Sequence, residues 1–481
     1  MSGGSDRVLI ASNRGPVSFS LGDDNRLSAR RGGGGVVSGL SSVAARTDTL
    51  WVCAALSNAD RIATRRSRDG LLTLDGEAGG SAVRMLDIPP AVFAGAYNGI
   101  ANSTLWFVHH MLYDTPNRPD FGPAFSREWA AYRAYNTAFA AALAEAADGG
   151  AVRAAIQDYH LCLVPRLLAD LRPGVPIAHF SHTPWAPPDY YRVLPDGVGR
   201  EVLDGILGAD HAGFLCQRWA DAFLDCCEQI LGAQVDRGRQ QVSWRGHVTG
   251  IGVHPLGVDA PALTSRASEP DVQARIAALA EAAGGRRLIV RIDRTELSKN
   301  IVRGLLAYRE LLASRPQWRG KVIHVAFAYP SRHDLPEYRE YTASVQRTAR
   351  QVSDEFRTDD WDPLMLQLDD DYARSLAAYR LADVLLVNPI RDGMNLVAKE
   401  GPILSDRGCA LVLSREAGAA AELSADALMV NPYDVTGTAQ ALHEALMMTD
   451  AERGRRSAAL ARTSSSMPPA QWFADQLAAL D

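Results

Sequence analysis

Short aliphatic and β-branched runs recur through the second half of the chain, at residues 288–292, 322–328, 364–368, 384–387, 410–413 and 428–430. Each is strand-length, bounded by polar or glycine-containing turns. The segments between them carry helical spacing, as in the single apolar stripe of Val302, Leu305, Leu306, Arg309 and Leu312 with polar neighbours. Strands alternating with helices of this length predict right-handed βαβ units and a parallel sheet, a Rossmann-like domain. The first half is less regular. Strands are expected at 7–12, 50–54, 83–88, 155–159, 176–181, 212–215 and 248–253, and helices at 126–147 and 219–230. This half also reads as α/β, with insertions. The fold class is therefore α/β with two Rossmann-like domains, and a cleft between two such domains is where small ligands usually sit.

The Pro/Ala/Ser-containing stretch 255–270 reads as the linker, and the chain beyond Arg456 as a Ser/Pro break followed by a helical tail. The expected division is 1–258 for the first domain, 259–460 for the second, and 461–481 for a C-terminal helix crossing back to the first. At 481 residues the chain is too long for one ordinary core, which agrees.

Composition changes the picture only by exclusion. An apolar content of 47% with 22% charged residues is ordinary for a globular enzyme. The net charge of −6 argues against a nucleic-acid partner. It leaves an anionic small substrate open, because local arginine clusters decide that. The cysteines, at 53, 162, 216, 226, 227 and 409, form no C-x-x-C pair, and no His/Cys/Asp set has zinc spacing, so reduced buried thiols and no metal are expected. The N-terminus has no charged leader, and no apolar stretch is long enough to span a membrane; a cytoplasmic protein is expected. Its partners should be small molecules, with no nucleic acid and no membrane, and a homo-oligomer left open.

The candidate chemistry gathers where strands end. A buried-looking run, 382–390, leads into Arg391-Asp392-Gly393-Met394-Asn395-Leu396-Val397-Ala398-Lys399-Glu400. There a strand ends, a glycine turn follows and a helix opens, so free N–H groups and two carboxylates lie at the ligand edge of a parallel sheet. Ser12-Asn13-Arg14 closes the first strand with an arginine suited to phosphate. Asp158-Tyr159-His160 and Ser181-His182-Thr183 end two neighbouring strands and offer acid, base or hydroxyl-binding groups. The Thr-Pro-Trp-Ala-Pro-Pro run after His182 suggests a rigid loop over a ligand. Arg294 and Lys299 flank a strand-to-helix loop suited to a pyrophosphate, and Ser331-Arg332 after the next strand gives a further phosphate clamp. The glycines at 32–35, Gly34 and Gly35 among them, would let backbone approach a phosphate. Each has a plain alternative: a surface loop for the glycines and Arg14, structural hydrogen bonds for Asp158 and His182, a solvated helix face for Lys299. There is no Gly-Lys-Ser/Thr phosphate loop, no G-x-G-x-x-G fingerprint with its acid, and no Gly-x-Ser-x-Gly elbow. Many anion-binding groups and few nucleophiles point to group transfer from an activated phosphate donor.

These motifs, in this order, resemble the retaining glycosyltransferases that make α,α-trehalose 6-phosphate, glycosyltransferase family 20, over nearly the whole chain. The most specific parts are 392–400, Asp158-Tyr159-His160, and Tyr97-Asn98 with Leu105-Trp106. The resemblance implies the GT-B architecture, two Rossmann-like domains facing a cleft, and transfer of glucose from a nucleoside diphosphate glucose to glucose 6-phosphate. The nucleotide-sugar is a substrate, and no cofactor is implied. By resemblance, Arg14, Tyr97, Trp106, Asp158 and Arg332 hold the acceptor. Gly34, Gly35, His182, Arg294, Lys299, Asp392, Gly393, Met394, Asn395, Leu396, Val397 and Glu400 hold the donor, with Glu400 on the ribose. Asp158, His182, Arg294 and Lys299 form the catalytic set. The chain departs from the family at 294–300, where Asp-Tyr-Ser-Lys-Gly is usual. That segment and Trp244-Arg245-Gly246-His247 resemble the validoxylamine-phosphate synthase branch, pseudo-glycosyltransferases coupling a GDP-activated cyclitol to an amino-cyclitol phosphate. The branch likeness leans the donor base towards guanine and keeps cyclitol coupling as the alternative. The block at Asp392 and the retained His160 favour glucose.

Overall fold

The computed structural model describes residues 7–22, 25–31, 48–67, 70–73, 82–148, 151–332 and 334–481. The chain divides into two compact units, Met1–Pro255 with Pro469–Asp481, and Leu256–Pro468.

The first unit is built on a ten-stranded sheet of order β10-β11-β12-β9-β8-β7-β1-β4-β6-β5. Its central strands are β1 (Arg7–Ala11), β4 (Thr49–Ala54), β7 (Val152–Gln157) and β8 (Ile177–Ser181), paired in parallel. Beyond β4 lie β6 (Ala82–Leu86) and the short β5 (Leu71–Thr73); beyond β8 lie β9 (His211–Phe214) and β12 (His247–Val253). From β1 the chain winds outward through β4 and β6, then returns to the other side of β1 for β7, β8 and β9. The winding reverses between β1 and β7, and ligands of open α/β sheets bind outside the carboxyl ends of the strands at such a point. The central strands are apolar on both faces because helices cover both, and Leu9, Ile10, Trp51, Val52, Ala154 and Ile156 have no exposed surface.

Several elements depart from the expected reading. A hairpin of β2 (Val17–Leu21) and β3 (Leu27–Arg31) lies outside the main sheet. At the opposite edge, β10 (Gln234–Asp236) and β11 (Gln241–Trp244) add antiparallel strands to β12. These strands are polar and short, so no apolar run marks them. The turn from β11 to β12 is Arg245-Gly246, both left-handed at φ 50 and 77, the two-residue hairpin geometry that matches strand twist. The run 183–188, expected as a rigid loop, has no regular structure up to Pro187, and residues 183–186 are buried. Trp185 packs in a cluster with His109, Tyr191, Phe214 and Phe223.

The second unit carries a six-stranded parallel sheet of order β15-β14-β13-β16-β17-β18. The strands are β13 (Arg287–Arg294), β14 (Val322–Tyr329), β15 (Leu364–Gln367), β16 (Val384–Val387), β17 (Ala410–Ser414) and β18 (Leu428–Val430). It too is doubly wound, with its reversal between β13 and β16. The helix Ile301–Ser314 buries Ile301, Leu305, Tyr308, Leu311 and Leu312. Of the stripe read from the sequence only Leu305 and Leu312 are fully buried, Val302 and Leu306 are half-buried, and Arg309 is exposed.

The boundaries fall at Pro255/Leu256 and Pro468/Pro469, not at 258 and 460. The stretch 255–270 is no free linker. It holds a helix, Ala260–Ala267, capped by the Asp259 carboxylate, and the N–H groups of Gly257 and Val258 donate to Met467 and Ser464. The helix Asp450–Ser464 runs past residue 460 within the second unit. The C-terminal helix Pro469–Ala478 belongs to the first unit. There Trp472 is fully buried, donates to the carbonyl of His254 and meets the Phe180 ring edge-on at 4.8 Å.

Candidate active site

In the first unit, the groups lie at the carboxyl ends of β1, β7 and β8. Ser12 and Asn13 are buried and tied down. The Trp51 indole donates to Ser12 Oγ at 2.7 Å, Ser12 Oγ donates to the Arg14 carbonyl at 2.6 Å, and Tyr135 donates to Asn13 Oδ1 at 2.7 Å. Arg14, the next residue, is exposed. Two anchored residues thus aim a solvated arginine from the end of β1.

Asp158 follows β7 with φ 76 and ψ 171, a region that costs a non-glycine residue about 1–3 kcal/mol. The surrounding bonds hold it there. Its N–H donates to the Phe180 carbonyl at 2.7 Å, and its carboxylate accepts the His182 N–H at 3.2 Å. The other carboxylate oxygen lies 3.9 Å from His160 Nδ1. His182, at the end of β8, lies 2.9 Å from Gln157 Oε1 through Nε2, so with the amide oxygen accepting, Nε2 carries the proton. Burial, then neighbouring His179, pushes the His182 imidazole down to about 3. It is neutral at pH 7, and serves as a hydrogen-bonding group rather than a cationic acid. Trp472 of the C-terminal helix lies 5.5 Å from the His182 ring, a support that no motif marks.

Tyr97 and Trp106 belong to one helical rod: Pro90–Ala94, a π-helical stretch Gly95–Leu105, then Trp106–His110. The π stretch decides where they point. At α-helical pitch, nine residues make about 2.5 turns and put two side chains on opposite faces. The wider i→i+5 turn brings nine residues near two full turns and onto one face. Tyr97 stacks on His160 at 5.6 Å, and Trp106 meets Tyr159 at 5.7 Å. With Tyr159 and His160 4.1 Å apart, these rings form one row beside Asp158.

In the second unit, β13 ends at Arg294 and β16 ends just before 388–392, at the winding reversal. Lys299 Nζ donates to Asp392 Oδ2 at 2.6 Å, and Asn395 Nδ2 donates to the same oxygen at 3.1 Å. Burial alone would lower the Lys299 pKa; Asp392, Glu296 and Asp293 overcome it, so the ammonium is held above its ordinary value. Arg294 keeps 55% of its side chain exposed. Below them the fully buried Arg291 donates to Asp293, Asn388 and the carbonyl of Lys299, fixing the loop from beneath. Arg332 is on the second unit as well. It follows β14 with φ 47 and donates to the Tyr338 hydroxyl at 2.6 Å.

The segment 392–397 passes directly against Gly418, where a Cβ would collide with the Gly393 carbonyl. Gly418 N–H donates to the Asp392 carbonyl and Ala419 N–H to the Met394 carbonyl. Asn395 is left-handed at φ 77, and its side chain accepts the Ala398 N–H at the start of the helix Val397–Leu404. Among the described residues, the N–H groups of Met394, Asn395 and Leu396 make no hydrogen bond within the protein. Glu400 lies one turn into this helix and accepts from the Tyr379 hydroxyl at 2.9 Å. Burial pushes its carboxyl up to about 7, against the pull of that hydrogen bond.

The structure thus groups Asp158, His182, Tyr97 and Trp106 around the ends of β7 and β8, with Arg14 at the end of β1. It groups Arg294, Lys299, Arg332, Asp392, Gly393, Met394, Asn395, Leu396, Val397 and Glu400 on the second unit. Gly34 and Gly35 lie outside the described residues. The sequence reading missed Glu296, a wholly buried carboxylate between Arg294 and Arg332, and the Arg291–Asp293 pair. Their signal was charge inside an otherwise apolar strand end. Both motifs behind the branch likeness have structural work in this chain. Asn300 occupies the left-handed conformation that glycine or asparagine adopts, at φ 58, and its amide bridges the carbonyls of Asn388 and Pro432. Trp244-Arg245-Gly246-His247 is the β11–β12 hairpin, pinned by Trp244 to Asp204 at 2.7 Å.

Two doubly wound domains with anion-binding side chains at each reversal are the architecture of a GT-B glycosyltransferase. The family model for glycosyltransferase family 20 matches residues 6–481, and the chain belongs to that family. A probable alpha,alpha-trehalose-phosphate synthase (UDP-forming) 2 of Arabidopsis thaliana is 33% identical over 457 residues, 94% of this chain. The chain spans only 54% of the length of that plant relative. The alpha,alpha-trehalose-phosphate synthase (UDP-forming) 2 of Aspergillus fumigatus is 33% identical over 485 residues, covering 98% of this chain and 96% of its own. The crystal structure of a UDP-forming alpha,alpha-trehalose-phosphate synthase from Burkholderia vietnamiensis superposes with a TM-score of 0.85 at 28% identity, covering 99% of this chain and 97% of that one. These relatives are named UDP-forming, which overturns the lean towards a guanine donor. The cyclitol-coupling alternative draws no support from them. Among the described residues, no helix is long and apolar enough to cross a membrane.

Proposed function

We propose that the protein transfers glucose, with retention, from UDP-glucose to glucose 6-phosphate, giving α,α-trehalose 6-phosphate. One observation carries the reading: Lys299, Asp392 and Arg294 sit at the β13/β16 reversal beside the N–H groups of residues 394–396, in a chain of this family whose relatives are named for that product. In this reading Arg294, Lys299 and the 394–396 backbone hold the donor pyrophosphate. Asp392 and His182 meet the hydroxyls of the transferred glucose. Glu400 takes the ribose. Arg14, Tyr97, Trp106 and Arg332 bind the acceptor, and Asp158 lies at the reacting sugar.

Breaking the anomeric bond puts positive charge on the sugar ring and negative charge on the leaving phosphate. Arg294 and Lys299 stabilise the second of these. The acceptor hydroxyl attacks from the face the phosphate leaves, and the departing phosphate oxygen takes its proton. No protein nucleophile is required. Neutral His182, its Nε2 proton given to Gln157, offers Nδ1 as an acceptor without adding charge next to the forming cation.

Incubation with glucose 6-phosphate and UDP-, GDP- or ADP-glucose in parallel, followed by NMR of the product, tests the proposal. An α,α-1,1-linked disaccharide phosphate formed chiefly from UDP-glucose is expected; absence of that linkage with every donor would defeat it. Glu400 supplies a pH signature. As a carboxylate it accepts from Tyr379 at Oε2 and offers Oε1 to a ribose hydroxyl, and as an acid it loses acceptor capacity. With its carboxyl pushed up to about 7, the KM for UDP-glucose should rise as pH falls through that value. Glu400→Gln should flatten this dependence; a pH profile unchanged by that substitution would contradict the ribose assignment.

A further inference from the structure

We infer that Glu296 is a positioning residue shared by two substrate-binding arginines, one carboxylate orienting Arg294 towards the donor pyrophosphate and Arg332 towards the acceptor phosphate. The inference rests on the roles proposed above for those two arginines.

Glu296 has no exposed surface, and its environment is unusual for a buried acid. Oε1 accepts the Ser331 hydroxyl at 2.9 Å and lies 3.2 Å from Arg294 Nη2 and 4.0 Å from Arg332 Nη1. Oε2 is buried and has no hydrogen-bond partner among the described residues. A desolvated carboxylate with one oxygen unbonded is costly, and removal of its cationic partners would make it more so. Burial alone would raise its pKa, but Arg294, Arg332 and Lys299 hold it down at about 2, so the charge persists at every working pH.

The backbone around it is fixed from both strands. Its N–H donates to the Arg294 carbonyl at 2.7 Å, and its carbonyl accepts from Lys299 N–H at 3.0 Å. Strands β13 and β14 run in register to Arg294 and Tyr329, and Thr295 closes their ends by donating to the Tyr329 carbonyl through both N–H and hydroxyl. Residues just past two neighbouring strand ends therefore share one acid. Arg332 donates to the Tyr338 hydroxyl through the same Nη1 that faces Glu296 and is strained at φ 47, while Arg294 is half exposed. Stability alone is a poor account of such a group. An apolar residue of the same size would avoid the desolvation, but it would remove the one charge that faces both guanidiniums.

Glu296→Gln keeps the shape and the Ser331 contact while removing the charge. By calorimetry, UDP and glucose 6-phosphate (the latter with UDP saturating) should each bind about tenfold more weakly, the scale of one charge-assisted contact. Arg294→Ala should weaken UDP alone, and Arg332→Ala glucose 6-phosphate alone. A purely structural Glu296 would lower the melting temperature and leave both affinities of the folded protein intact. That result, or a loss confined to one ligand, overturns the sharing. Should Glu296→Gln not fold, Ser331→Ala, which frees Oε1, should weaken both ligands to a smaller extent; unchanged affinities there overturn it equally. Wild-type protein that binds UDP but no glucose 6-phosphate would sink the acceptor role of Arg332 first, and the sharing with it.

Discussion

Replacing Lys299 with alanine should lower turnover by roughly 100-fold or more, the scale for losing one donor aimed at developing charge. The side chain is 16% exposed and its ammonium is held charged by Asp392, Glu296 and Asp293. It is a preorganised cation at the end of a doubly wound sheet, where the proposed reaction places the growing negative charge of the leaving phosphate. The ion pair raises a second explanation, since Lys299→Ala also strands the Asp392 carboxylate. The double variant Lys299→Ala, Asp392→Asn removes that stranded charge. The double variant should recover melting temperature, which shows the stranded charge as the source of any instability; the turnover loss is read from Lys299→Ala itself, assayed well below its melting temperature. Wild-type steady-state kinetics for Lys299→Ala would remove the pyrophosphate assignment.

The second large effect is on stability. Lys399 is fully buried, and its ammonium donates to Glu422 Oε2 at 2.5 Å and to the Leu256 carbonyl at 2.8 Å. Lys399→Ala leaves a carboxylate and a carbonyl without their shared donor, and breaking one side of a buried pair costs about 3 kcal/mol or more. The urea midpoint should fall accordingly. Lys399→Met with Glu422→Leu removes both charges together and should recover most of the loss. Because Lys399 precedes Glu400 in the helix Val397–Leu404, the single variant should also weaken UDP-glucose. A Lys399→Ala protein with an unchanged urea midpoint would show that water reaches this pair and supports Glu422 in its absence.

The parallel strands were legible because a strand covered on both faces must be apolar throughout. Residues 288–292, 322–328 and 384–387 announce themselves in that way, and so does the turn at 392–396 that opens a helix. The β2–β3 hairpin and the β10–β11 edge were not legible, since strands facing water carry no apolar run. The helix Ala260–Ala267 was misread as linker for the related reason that proline in the first turn of a helix looks the same as proline in a loop.

The candidate site divides along the same line. Asp158, His182, Arg294, Lys299 and Asp392 stand at strand ends, and strand ends can be counted along a sequence. Glu296 could not be weighted without knowing that two arginines from different strands flank it.

By itself, then, the sequence determined the doubly wound halves and the residue types at their carboxyl edges, because burial period and strand-end position are local properties of the chain. Only the tertiary structure decided which of those residues meet. It joined Lys299 to Asp392 across two strands adjacent in space but 93 positions apart in sequence. It put Glu296 between two cations, and it used a π-helical stretch to turn Tyr97 and Trp106 onto one face. Those choices depend on packing and on hydrogen bonds between distant segments, and such contacts leave no periodic trace in the order of the residues.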